Sequence, residues 1–164
     1  MTTEGGTVLY AEGCTISSNS TKGFAEAIAT AKKADYVVLL LGLDQSIEAE
    51  GHDRDQITLP GVQSQLAQQI LQIGKPTAIV LLNGGIVAID DLKQTVPAIL
   101  EAWYPGYQGG IAISNVIFGS YNPGGKLPVT LYSSDYVHQV DFASMRFFSF
   151  FFDFIYLLFL KIKV

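Results

Sequence analysis

The feature that most restricts the fold of this chain is its alternation of short apolar runs with longer segments of helical character. The runs Thr7–Tyr10, Tyr36–Leu41, Ala78–Leu82 and Ile99–Trp103, with a weaker one at Leu127–Leu131, predict strands. Continuous apolar stretches of that length suit strands covered on both faces of a sheet. Between them, Lys22–Lys33, Val62–Ile73 and Gln108–Phe118 predict helices, with a short helical turn near Asp90–Lys93. Strand and helix in alternation make β-α-β units, so the expected class is α/β with a mostly parallel sheet. Pro60 is expected to start the second helix, where its missing donor would be unpaired anyway. Gly74 is expected to end that helix in a left-handed conformation, and Pro76 to prevent its continuation.

Composition narrows the function classes. A chain of 164 residues has room for one domain, and 49% hydrophobic against 15% charged residues supplies a core. A formal net charge of −5 argues against nucleic acid as a partner, since phosphate binding depends on clustered positive charge. One cysteine, Cys14, cannot form an internal disulfide, and two histidines show no metal-ligand spacing. Neither a metal nor another cofactor is expected.

The composition changes at residue 146. Seven of the ten phenylalanines lie between Phe147 and Phe159, so the domain is placed at 1–145 and an aromatic tail at 146–164. The apolar run Phe147–Leu160, interrupted by Ser149 and Asp153, falls short of the roughly 20 residues that span a bilayer. The plainer reading of the tail is an aberrant C-terminus. A membrane-associated segment, with Lys161 and Lys163 at the headgroup layer, comes second. Met1–Gly6 lacks the charged start and apolar core of a signal peptide.

In an open parallel sheet, ligands bind beyond the carboxyl ends of the strands. That edge would gather the loop Gly42–Leu59, the Asn83-Gly84-Gly85 turn and the loop Tyr104–Gly110. The first of these concentrates Asp44, Glu48, Glu50, Asp53 and Asp55 around a single Arg54. One reading is a solvated acidic loop with Arg54 paired to Asp53 or Asp55. The other makes Glu48 or Glu50 a general acid, kept protonated by partial burial. Glycoside cleavage needs such a group, because a departing alkoxide must be protonated while a second carboxylate attacks or activates water from the opposite face. Spacing alone leaves both open.

Four stretches carry a resemblance: AKKADYVVLLLGLDQSIEAEGHDR from Ala31 to Arg54, LPGVQSQL from Leu59 to Leu66, WYPGYQGG from Trp103 to Gly110, and FGSYNPGGKLPVTLY from Phe118 to Tyr132. Together they resemble the C-terminal α/β sandwich domain of family 3 glycoside hydrolases, most of all the β-xylosidase branch. The resemblance covers about Val8 to Met145. It implies a flavodoxin-like three-layer sandwich, belonging to an exo-acting retaining glycosidase on β-linked xylose or glucose. It also implies that the nucleophilic aspartate lies on a preceding β/α barrel, absent from these residues, and that this domain supplies the acid/base glutamate. Glu48 is favoured for that role, with Glu50 the close alternative; Asp53 and Arg54 match an Asp-Arg pair that orders the loop. The isolated chain is then expected to be weakly active or inactive, with a carbohydrate substrate and the barrel as its partners. A non-catalytic binding module of flavodoxin-like fold is the alternative.

Other residues have two readings each. Trp103 and Tyr104 could stack on a sugar ring or pack within the protein. Asn83, Gly84 and Gly85 could let the backbone approach a ligand or simply form a tight turn, and His52 could modulate the neighbouring acids or sit in a solvated loop. The sequon Asn19-Ser20-Thr21 fits a secreted parent enzyme but also arises by chance. Cys14 reads by default as a small buried apolar residue.

Overall fold

Val37–Gly42 (β1) and Thr77–Leu82 (β2) are six-residue apolar strands paired in parallel, Leu39 beside Ile79 and Leu41 beside Leu81. Ala78–Leu81 of β2 pairs in parallel with Ala98–Glu101 (β3), giving a sheet of order β1-β2-β3. The computed structural model describes residues 6–139. Alternate side chains of a strand face opposite ways. Leu39, Leu41, Ile79 and Leu81 therefore share a face and join one buried cluster with Phe24, Leu66, Ala67, Ile70 and Leu92.

Two helices contribute to that cluster. Phe24–Lys33 (α1) carries Glu26 in its first turn and Lys32 and Lys33 in its last, matching the helix dipole at both ends. Gln63–Leu71 (α2) buries Leu66, Ala67 and Ile70 at the 3–4 residue spacing of one helix face, and the two helices touch each other. On the opposite face of the sheet Val80 is also fully buried, whereas Val38 and Leu40 of β1 are exposed. The result is an α/β sandwich on a parallel sheet. Gly109–Ile117 (α3) follows β3 and buries only Gly109, and a short 3-10 helix spans Ser134–His138.

Several sequence expectations need correction. Thr7–Tyr10 is not a strand: it is exposed and joins no ladder. Leu127–Leu131 is not a strand either, and Pro128 within it lacks the backbone donor that pairing requires. A short apolar run becomes a strand only where a partner receives its hydrogen bonds, and neither run has one among the described residues. The third strand ends at Glu101 rather than Trp103. Helix α2 begins at Gln63, not beside Pro60, because residues 60–62 cross the segment before α1, where the Val62 N–H donates to Ser18 O at 3.2 Å. Gly74 does end that stretch, with φ +77°. Near Asp90–Lys93 a single helical turn forms, closed by the Lys93 N–H on Ile89 O. The tail 146–164 lies outside the described residues.

One contact ties the second helix to the sheet edge. Gln63 is buried, accepts from the Gly42 N–H at 2.8 Å and donates to Gly42 O at 2.7 Å and to Ile16 O at 2.8 Å. Its carboxamide takes the place that another strand's backbone would occupy beside the end of β1.

Candidate active site

All three strands point their carboxyl ends at one edge, and the loop leaving each one meets the others there. The loop after β1 opens with an Asx turn: Asp44 Oδ1 accepts from the Ser46 N–H at 2.9 Å and from Ser46 Oγ at 2.5 Å. These bonds hold the Asp44 carboxyl below its usual range. Farther on, Ala49 and His52 exchange both backbone hydrogen bonds, at 3.0 and 2.9 Å, leaving Glu50 and Gly51 as the tip of a tight turn. Gly51 has φ +74°, the left-handed conformation that a type II turn requires at its third position. The loop returns to the body of the protein where the Ala88 N–H donates to Ile57 O at 2.7 Å.

This geometry separates the two glutamates. Glu50 stands exposed at the tip, with no hydrogen bond or ion pair among the described residues. Glu48 is instead the partner of Arg54, whose Nε–H donates to Glu48 Oε2. The Arg54 side chain is 9% exposed and also donates to Ile86 O at 2.7 Å. A mostly buried guanidinium thus joins the acidic loop to the turn after β2 by charge-assisted bonds. The partners of Arg54 are Glu48 and Ile86; Asp53 and Asp55 are exposed and do not pair with it.

The Asn83-Gly84-Gly85 turn is the floor against which the other loops rest. A Cβ on Gly85 would lie 2.7 Å from Cδ of Glu48, and one on Gly84 would lie 2.6 Å from Cε2 of Tyr104. Tyr104 also donates its hydroxyl to Leu43 O at 3.3 Å, fastening the loop after β3 to the end of β1. Trp103, half-buried, has φ +53°, an uncommon conformation for a residue with a Cβ. Its N–H donates to Glu101 Oε1 at 3.4 Å. Both aromatics therefore sit at the predicted edge, Tyr104 as a fastener with 47% of its surface exposed. His52 is exposed. Cys14 packs beside the main core, and burial together with the Glu12 charge pushes its thiol up.

Of two further residues at this edge, Asn83 was read from the sequence only as part of a tight turn, and Glu101 escaped that reading. Asn83 is fully buried, with Nδ2 donating to Gly85 O at 2.9 Å. Glu101 ends β3, and burial pushes its carboxyl up to about 7 against an ordinary 4.5, with the Trp103 amide and the nearby Asn83 side chain pulling the other way. The available signal was a carboxylate closing the apolar strand AILE directly before the WYPG turn.

Residues 4–155 match the glycosyl hydrolase family 3 C-terminal domain. The chain belongs to that family. It is 47% identical to a beta-xylosidase of Formosa agariphila over 121 residues, 74% of this chain and 17% of the relative. With beta-D-xylosidase 1 of Arabidopsis thaliana the identity is 45% over 141 residues, 84% of this chain and 18% of the relative. Among solved structures, a family 3 exo-beta-xylosidase (XlnD) in complex with a xylobiose aziridine activity-based probe superposes with TM-score 0.79 at 38% identity. That match covers 83% of this chain and 18% of that one. A Bifidobacterium adolescentis family 3 beta-glucosidase gives TM-score 0.66 at 36% identity, over 73% of this chain and 18% of its own. This family 3 chain thus spans under a fifth of the length of the relatives it matches.

Proposed function

We propose that this chain is the acid/base part of an exo-acting retaining glycosidase that cleaves β-linked xylose or glucose. The attacking carboxylate comes from the barrel that the family places before this domain. The names of the curated relatives favour xylosides. Within the acidic loop the assignment goes to Glu50, and the observation that carries it is the Ala49–His52 turn, which presents a free carboxyl at its tip while Glu48 is spent on Arg54. Losing Glu48 as acceptor would leave a mostly buried guanidinium short of its counter-charge, which makes Glu48 a poor group to cycle a proton. Glu50 carries no such obligation; exposed on this domain rather than partly buried, it would gain the burial that holds its proton from the barrel packed against this edge. Glu48 and Arg54 then hold the loop, and Trp103 and Tyr104 border the sugar site. The exposed sequon at Asn19 is compatible with a secreted parent enzyme.

In this mechanism Glu50 gives its proton to the departing oxygen as the barrel carboxylate attacks the anomeric carbon. It then takes a proton from the water that releases the glycosyl-enzyme, the two carboxyl groups flanking the bond at about 5–5.5 Å. The test places this chain behind a family 3 barrel and measures aryl β-xylosides and aryl β-glucosides. Glu50→Gln should lower kcat/KM for a poor leaving group by about 10²–10⁴, with a much smaller loss for a good one. Glu48→Gln should show no such dependence on the leaving group. The reverse pattern would move the donor to Glu48, and no effect from either substitution would refute the acid-loop reading.

A further inference from the structure

At the floor of the same edge, two buried acceptors lack a donor. Asn83 Oδ1 and Glu101 Oε2 are both inaccessible to solvent and both without a hydrogen bond. Their companion atoms are committed elsewhere: Asn83 Nδ2 to Gly85 O, and Glu101 Oε1 to the Trp103 N–H. The two side chains are neighbours at this edge, and the register explains why. Glu101 lies opposite Leu81, and Asn83, two residues beyond Leu81, falls on the same side of the pleat. Orphaned buried acceptors are costly, and a carboxylic acid facing a carboxamide oxygen removes both defects with a single proton.

We infer that Glu101 is a positioning residue: its protonated Oε2 donates to Asn83 Oδ1 and thereby fixes the turn on which the acidic loop is seated. The proton stays on Glu101, and no bond is made or broken. The consequences run along contacts already described. Asn83 holds Gly85 O, Gly85 backs the Glu48 carboxyl, and Ile86 O receives Arg54. On the other side, Glu101 Oε1 secures the left-handed Trp103, which leads into Tyr104. One acid group thus braces the loops after β2 and β3 together. What faces the carboxyl is the Trp103 amide and the Asn83 carboxamide, and no charged side chain among the described residues adds to its upward displacement. The bracing is a statement about structure; only its importance for catalysis rests on the reading of the acidic loop given above.

The test is NMR on the full chain from pH 5 to 9, following the Glu101 side-chain carboxyl carbon, the Asn83 side-chain amide protons and the Arg54 Nε–H. All three should shift together with a midpoint near 7. Glu101→Gln, which offers an N–H to Asn83 and an oxygen to Trp103, should hold the Asn83 and Arg54 signals at their low-pH positions throughout. His52→Gln, which removes the nearby histidine, should leave the transition in place. The inference is overturned if the Glu101 carbon titrates in the ordinary carboxylate range. It is equally overturned if the Asn83 and Arg54 signals ignore Glu101, or if their transition disappears with His52 instead. The titration of the unsubstituted chain decides the matter even if a variant fails to fold. Its failure would leave the Glu50 assignment untouched, just as a fully active Glu50→Gln enzyme would leave the bracing intact.

Discussion

Gly85→Ala isolates the contact between the turn after β2 and the acidic loop. The new Cβ would lie 2.7 Å from both Cδ and Oε2 of Glu48, so that carboxylate must swing away and release Arg54. Gly85 is not in the left-handed region, so alanine meets no backbone penalty there. A charge-assisted hydrogen bond contributes about 1.5–3 kcal/mol. With the Glu48 side chain 31% exposed, solvent screening places this one at the low end, about 1.5 kcal/mol. For a chain of this size that corresponds to about 4 °C in Tm. The assay is urea unfolding of four proteins: parent, Gly85→Ala, Glu48→Ala and the double variant. Gly85→Ala alone should destabilise by about 1.5 kcal/mol, but in the Glu48→Ala background it should be neutral or stabilise by about 0.5 kcal/mol, since alanine restricts the unfolded chain. If Gly85→Ala costs the same in both backgrounds, the glycine is not there to admit Glu48, and the description of the loop seat is wrong.

Gln63→Ala removes a donor and acceptor that serve Gly42 and Ile16 at once, and leaving the buried N–H and C=O of Gly42 unpaired should cost about 3 kcal/mol by urea unfolding. Glu101 gives stability a pH dependence of known sign: its carboxyl titrates at about 7 in the folded state against an ordinary 4.5, so its contribution is full below 4.5 and is lost as the pH rises through 7. That span sets an upper bound of about 3 kcal/mol, lower in practice because the group is partly exposed. Unfolding free energies of the parent and Glu101→Gln measured from pH 5 to 8 should diverge in slope, with the parent falling more steeply.

The layers of the protein were legible in the chain because they follow from local chemistry. Val37–Gly42 and Thr77–Leu82 are uninterrupted apolar runs, and only a covered strand makes use of such a pattern. Gly74 and Pro76 close the second helix for reasons internal to those residues. Thr7–Tyr10 and Leu127–Leu131 had comparable composition and failed, since pairing depends on a neighbour that composition does not reveal. The acidic loop was legible as a loop, and its resemblance to family 3 assigned it chemistry. Which glutamate is free was not legible: Glu48 and Glu50 are two residues apart, and the difference between them is an arginine that reaches Ile86, 32 residues along the chain. The role of Glu101 was not legible for the same reason. A carboxylate at a strand end is ordinary until the fold buries it beside Asn83.

By itself, then, the sequence determined the period of each segment, the turn chemistry and the family, all of which are set within a few residues or by text shared with relatives. The tertiary structure alone decided which polar atoms are removed from water and which partner each one meets. Desolvation and hydrogen bonding depend on what lies across space, and the sheet register brings Asn83 to Glu101 and the loop closure brings Glu48 to Arg54.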